Sequence, residues 1–193
     1  MKEALIIVDV QNDYFPGGRF PTDSPVETAQ AIAQLMEKFR RESKEIIHVV
    51  HHATEEQRKK LNFFEPGTSG VEIHESVKPL ANEKIFIKHE MSGFVGTGLK
   101  EYLKSKGIDT IIVVGMMIHN CVNSTVYSGT HRGFKCIVVD EAVNAFDQPY
   151  DGRIIKAKQI KEAFLAGIQF VYAKVKKVDD ILNNNYQVHV GSF

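Results

Sequence analysis

Apolar and polar positions follow two distinct periods along this chain, and the switches between them outline its elements. Near-continuous runs rich in Ile and Val recur at Ala4–Val10, Glu45–Val50, Lys84–Ile87, Thr110–Val114, Lys135–Val139 and Phe170–Val175. Because these six runs lack strict alternation, they predict strands covered on both faces, as in a parallel sheet. Between them the period becomes helical. Pro25–Arg41 carries apolar residues at Ala29, Ile32, Ala33, Leu35, Met36 and Phe39, with Asp23 or Ser24 placed to cap its start and Pro25 suited to the first turn. Leu99–Lys106 stops at Gly107, a helix from about Asn120 to Arg132 stops at Gly133, and another from about Arg153 to Ala166 stops at Gly167. The chain after Val178 is expected to form a short docking helix.

Strands and helices in this order predict a three-layer, doubly wound α/β fold. Its six-stranded parallel sheet has the order 3-2-1-4-5-6 and is flanked by helices, all within one domain over residues 1–193. In that architecture ligands gather beyond the C-terminal ends of the strands, where strand order reverses. The polar stretch from His51 to Glu83, with turn signals at Pro66-Gly67-Thr68 and Lys78-Pro79, reads as a functional or lid-like loop.

Charge narrows the class of ligand. The 24 basic residues balance the 24 acidic ones, so no net field draws the chain to nucleic acid or to an anionic membrane surface, and a small molecule is the expected partner. Runs such as Ala4 to Val8 and Ile111 to Val114 fall far short of the ~20 apolar residues of a membrane span. The two cysteines, Cys121 and Cys136, lie in dissimilar contexts, and no apolar leader with a cleavage site opens the chain. A soluble protein of the reducing cytoplasm is therefore expected.

Three strand ends carry candidate chemistry. Gly115-Met116-Met117-Ile118-His119-Asn120-Cys121-Val122 follows the run Ile111–Val114 and leads into a helical pattern, which puts a thiol at a strand-to-helix corner. Unpaired N–H groups and partial positive charge at such a corner can lower a thiol's pKa and bind an oxyanion. Taken alone, an unpaired cysteine is more often an inert core residue. Asp9 ends the first apolar run, where an unpartnered carboxylate would cost several kcal/mol, although a strand-end Asp that merely caps its loop is the blander reading. Lys88 ends the third run and either snorkels to solvent or pairs with a buried anion. All three sit on the rim where this fold gathers ligands.

At this point the residues resemble the isochorismatase-like cysteine hydrolases, a family that includes nicotinamidases, N-carbamoylsarcosine amidase, ureidoacrylate hydrolases and streptothricin hydrolase. Asp9-Val10-Gln11-Asn12-Asp13-Tyr14 is similar to the family's opening Asp-x-Gln-x-Asp-Phe spacing. Lys88, Ser92, Phe94, Gly96, Thr97 and Leu99 match its Lys-x-x-x-Ser-x-Phe-x-Gly-Thr-x-Leu pattern, and Gly115, Cys121, Val122 and Thr125 match its Gly-x-x-x-x-x-Cys-Val-x-x-Thr pattern. The resemblance implies an Asp9, Lys88, Cys121 triad and an oxyanion hole from the backbone N–H groups of Met117 and Cys121. It also implies a cis peptide at Met116-Met117. The implied activity is hydrolysis of a small amide or ureido C–N bond through a thioester, without a cofactor, in a homodimer or homotetramer.

Departures from the family pattern bear on substrate. Nicotinamidases carry a metal site with an Asp-x-His pair after the second strand, whereas this chain has Val49-Val50-His51-His52-Ala53, so no metal site is expected. Phe15, His51, Phe94 and Ile118 are candidate substrate-binding residues, with Phe64 and Phe146 as further wall candidates. Ile118 and His119 replace residues commonly Thr and Asp, and Glu90 stands where isochorismate-type relatives often have Arg. A metal-dependent nicotinamidase and a non-catalytic, ligand-binding member of the fold remain alternatives. Other chemistries have weaker support. A dehalogenase-type phosphatase would want a carboxylate where Gln11 stands, a dithiol redox enzyme a Cys-x-x-Cys, and a dinucleotide module a Gly-x-Gly-x-x-Gly after the first strand.

Overall fold

The computed structural model describes residues 1–186. Its centre is the strand β1 (Glu3–Val8), every residue of which is buried, as the unbroken apolar run requires. β2 (Glu45–His51), β3 (Lys84–Lys88), β4 (Thr110–Gly115), β5 (Lys135–Val143) and β8 (Lys174–Lys176) complete a six-stranded sheet in the order β3-β2-β1-β4-β5-β8. All five pairings are parallel. This is the expected topology, with β8 as the sixth strand because a short antiparallel hairpin, β6 (Gln148–Tyr150) and β7 (Arg153–Ile155), intervenes. The hairpin turns at Asp151-Gly152, both at positive φ, the Asp-Gly pair that tight hairpins favour.

Helices cover both faces. α1 (Pro25–Arg41) buries Ile32, Leu35, Met36 and Phe39 against one face, together with the short α6 (Val178–Leu182). α3 (Leu99–Ser105), α4 (Asn123–His131) and α5 (Ala157–Val171) cover the other, where Leu99, Leu103, Val126, Ile160 and Ile168 meet Ile6, Val8, Ile111 and Val113. Two expectations need correction. Phe170 belongs to α5 and is 84% exposed rather than lying in a strand, because Gly167 does not adopt the positive φ that would end the helix and Ile168 continues its buried stripe. β3 is an edge strand whose Ile85 and Ile87 are exposed, so its apolar run does not signify cover on both faces.

The long polar stretch contains a helix, α2 (Glu55–Lys60), with a reciprocal capping box between Thr54 and Gln57. That Thr-x-x-Gln spacing was legible in the chain. None of the residues of α2 is buried. It stands over the C-terminal edge of the sheet, where the pairs Val8–Gly115 and His51–Lys88 lie side by side. Among the described residues, no helix is long and apolar enough to cross a membrane.

Candidate active site

The first site residue leaves the sheet as soon as β1 ends. Asp9 takes a positive φ of 52° while its N–H still bonds Val49 O at 2.9 Å, which turns its carboxylate back over the sheet edge. Lys88, the last residue of β3, directs its side chain inward to the same point. Both side chains are 0% exposed, and Lys88 Nζ lies 2.8 Å from Asp9 Oδ2. The third residue comes from the far side of β1. Gly115 ends β4 at φ +126°, where a Cβ would fall 2.0 Å from Val8 O, so only glycine lets the two strands stay paired as the chain turns. After Gly115 the Met116-Met117 peptide is cis. One wide turn, Ile118–Val122, then precedes α4 and carries Cys121.

That turn has i→i+5 spacing, beginning with Val122 N–H to Met117 O at 3.3 Å, so the N–H groups before Val122 stay outside its ladder. Ile118 N–H donates to Asn144 O and Asn120 N–H to Met117 O. Among the described residues, the Met117 N–H meets no acceptor. From the other end, Thr125 Oγ1 donates to Cys121 O at 2.7 Å and accepts from Gly93 N–H at 2.9 Å, tying the cysteine to the segment after Lys88.

Lys88 is the hub of the cluster. Its ammonium donates to His51 Nδ1 at 2.9 Å and Cys121 Sγ at 3.4 Å and forms an ion pair with Asp9 Oδ2 at 2.8 Å. Since Nδ1 accepts, Nε2 carries the His51 proton and donates to Gln57 Oε1 at 3.1 Å. Gln57 also accepts from Thr54 N–H at 2.9 Å and donates to His89 O at 2.7 Å. Gln11, fully buried, clamps the main chain of His51 on both sides, accepting from its N–H at 2.8 Å and donating to its O at 3.0 Å. Sequence reasoning missed Gln57 as a site residue because α2 went unread.

Charge in this cluster is unevenly shared. Burial disfavours the Lys88 ammonium, but Asp9 and Cys121 together outweigh it and hold the amine above the ordinary lysine value. Burial also pushes the Cys121 thiol well up, the Asp9 charge adds to that, and Lys88 offsets only part. This corrects the expectation of a lowered thiol pKa, since the corner's partial charge is outweighed by desolvation and a neighbouring anion. His51 is held below its ordinary value by burial and by Lys88, consistent with a neutral acceptor. The resting cluster is thus a carboxylate–ammonium pair beside a neutral thiol and a neutral imidazole.

A chamber of about 110 Å³ opens at the sulfur, lined by Tyr14, His51, Ala53, Gln57, Leu61, Phe63, Phe64, Met91, Met117, Asn120 and Cys121. Of the sequence-based substrate candidates only His51 lines it. Phe15 stacks on His74 at 3.6 Å between ring centroids and borders a separate, polar cavity. Phe94 stacks on Phe134 beneath the Arg132 guanidinium, and Ile118 is fully buried in the core around α4. Phe64 belongs to the wall, whereas Phe146 packs on Phe20 and His119. Side-chain direction decides each case, and it cannot be read from a run of residues.

Among the described residues, the histidines in and just after β2 do not assemble a metal site. His48 turns to Glu83 at 3.4 Å, His51 to Lys88 and Gln57, and the His52 carbonyl meets His89 Nδ1 at 2.7 Å. Among the described residues, no group of three His, Cys, Asp or Glu side chains is placed to hold a metal ion.

In sequence and in fold the chain is similar to known proteins. The family model described as Isochorismatase domain matches residues 3–153. The uncharacterized isochorismatase family protein YddQ of Bacillus subtilis is 38% identical over 182 residues, covering 94% of this chain and 99% of that protein. Among solved structures, a putative isochorismatase hydrolase from Oleispira antarctica superposes with a TM-score of 0.88 at 31% identity, over 94% of this chain and 96% of the other. N-carbamoylsarcosine amidase from Thermoplasma acidophilum gives a TM-score of 0.80 at 30% identity, over 93% and 98%.

Proposed function

Because the chain belongs to the isochorismatase family of hydrolases, we propose that it hydrolyses a small carboxamide or ureido C–N bond with Cys121 as nucleophile. The observation that carries the proposal is the single buried cluster in which Lys88 Nζ touches both Asp9 Oδ2 and Cys121 Sγ. The likeness to a structure named for an amidase supports the same bond class.

As the sulfur attacks the carbonyl carbon, its proton passes to Asp9, and Lys88 stabilises the sulfur's developing charge. The unengaged Met117 N–H and the Cys121 N–H receive the tetrahedral oxyanion. Collapse breaks the C–N bond while Asp9 returns the proton to the leaving nitrogen, releasing ammonia or an amine and leaving an acyl thioester on Cys121. Water then attacks the thioester, Asp9 takes its proton, and the thiol is regenerated with the free acid. A neutral resting thiol suits this sequence, because Asp9 is the base and the thiolate need exist only as the S–C bond forms. None of these steps calls on a cofactor.

The test is a panel of small amides assayed for ammonia release, with Cys121→Ala as control, together with mass spectrometry of the quenched protein. Turnover in the parent, its loss in the variant and an acyl adduct on the Cys121 peptide are expected. Equal turnover by Cys121→Ala would overturn the reading.

A further inference from the structure

One wall of the chamber is held in place from outside it. Asp13 sits in the middle of a single 3-10 turn, Asn12–Tyr14, and is 1% exposed, so its carboxylate needs partners. They are two main-chain groups far apart in sequence. Oδ1 accepts from Arg19 N–H at 3.2 Å, and Oδ2 accepts from Phe64 N–H at 2.6 Å. The Arg19 guanidinium itself is directed to Glu65, at 2.8 Å. Packing around the turn is close, because a Cβ on Gly70 would overlap the Asp13 carboxylate and one on Gly18 would overlap the Asp13 main chain.

Phe64 is the residue this bond constrains. Its φ of +56° lies in the left-handed region, which a bulky side chain rarely occupies unless its surroundings hold it there. Hydrogen bonds pin its main chain at both ends, the N–H donating to Asp13 and the O accepting from Ala53 N–H at 2.9 Å. A charged acceptor makes the stronger bond, so Asp13 is the firmer of the two pins. In this conformation the ring is buried and lines the chamber, edge-on to Tyr14 at 4.6 Å and 5.9 Å from the His51 ring. Asp13 is not itself among the lining residues, so it acts on the space through the residue it holds.

We propose that Asp13 is a positioning residue: by fixing Phe64 in the left-handed conformation it sets the aromatic wall of the chamber, and with it the width of the group that reaches Cys121. It transfers no proton and touches no substrate. The proposal rests on the amidase reading for the kinetic arm of its test alone.

The first arm reads the chamber with thiol reagents of two sizes. Folded parent and Asp13→Ala proteins are treated with iodoacetamide or N-phenylmaleimide, and labelling of Cys121 is followed by peptide mapping. The rate ratio of the larger to the smaller reagent, relative to free cysteine, is expected to rise about tenfold in Asp13→Ala, the scale of a hydrogen bond to a charged group. Phe64→Ala should give a similar rise, and adding Asp13→Ala to it should change nothing further. Leu103→Ala, which truncates the core under α3 beside the start of β4, should keep the parent ratio. Asp13→Asn retains one acceptor and gives the same reading, with a smaller rise, where Asp13→Ala does not fold. An unchanged ratio in the Asp13 variants, an equal rise in Leu103→Ala, or a full further rise in the Phe64→Ala background would each overturn the proposal.

The second arm uses an amide that turns over. Asp13→Ala should raise KM about tenfold while leaving kcat within about twofold. A fall in kcat at constant KM would place Asp13 in the chemistry and overturn the positioning role. The expected labelling pattern in a protein that releases no ammonia would count against the amidase reading alone.

Discussion

His51 Nδ1 accepts a hydrogen bond from Lys88 Nζ at 2.9 Å, and the two residues are register partners at the last rung of β2 and β3. Parallel pairing puts their side chains on the same face, so the contact follows directly from strand register. The imidazole accepts there only if its proton sits on Nε2, and Gln57 Oε1 holds that proton from outside the sheet. A glutamine on an exposed helix thereby helps orient an ammonium buried at the centre of the site.

Gln57→Ala should release this tautomer. The expected outcome is a shift of the His51 nitrogen resonances toward a mixture of Nδ1–H and Nε2–H forms, read by ¹⁵N NMR. Activity should fall by roughly tenfold, the scale of one hydrogen bond worth about 1–1.5 kcal/mol. Unchanged His51 resonances would assign Gln57 to capping α2 alone.

Asp9→Asn should cost more stability than its size suggests. It leaves the fully buried Lys88 ammonium without its anion, and breaking a buried pair in this way costs about 3–5 kcal/mol. Urea denaturation should show the loss at pH 7, and Asp9→Asn with Lys88→Met together should recover part of it.

Cys121 should alkylate slowly in the free protein. Burial and Asp9 hold its thiol protonated, so at pH 8 iodoacetamide should label it more slowly than free cysteine, with the rate still rising above the ordinary thiol range. Peptide mapping separates it from Cys136, whose thiol burial pushes up to about 11. Labelling of Cys121 faster than free cysteine at pH 7 would contradict the neutral resting state.

His119 makes the fold sensitive to acid. Its ring packs against Phe146 and Phe164, neither nitrogen has a partner among the described residues, and burial lowers its pKa to about 4. The unfolded chain therefore binds the proton first. The neutral ring's contribution is whole above the unfolded value near 6.5 and is lost as pH falls from there toward 4. After allowing for the ring's partial exposure the loss is about 1–2 kcal/mol. His119→Phe should flatten stability over this window, measured by denaturant titration at several pH values.

Gly115→Ala should prevent folding or lower stability by more than about 4 kcal/mol. The added methyl would sit 2.0 Å from Val8 O at a φ of +126°. A thermal melt close to that of the parent protein would show that β1 and β4 can separate at this rung without penalty.

Much of this protein is legible in one dimension. Five of the six strands, the sheet order, the helices Pro25–Arg41 and Leu99–Ser105, and the positions of Asp9 and Lys88 at strand ends and of Cys121 at the corner after β4 all follow from periodicity, glycine stops and motif spacing. These features are local, or depend on crossovers that are right-handed almost without exception. The Asp151-Gly152 hairpin turn and the Thr54–Gln57 capping box are equally local signals.

The long-range features were decided elsewhere. That Phe15, Phe94 and Ile118 leave the chamber to Phe64, Tyr14 and Leu61 depends on which way each side chain points once loops far apart in sequence have packed together. The charge state of Cys121 follows the same logic. A thiol at a helix-entry corner reads as acidic from sequence, yet its proton is held by burial and by a carboxylate 112 positions earlier in the chain. Periodicity and motif determine where a residue sits along its element, because those depend on near neighbours. Which groups share a low-dielectric space, and therefore which of them carries the proton, is set only when the tertiary fold removes the water between them.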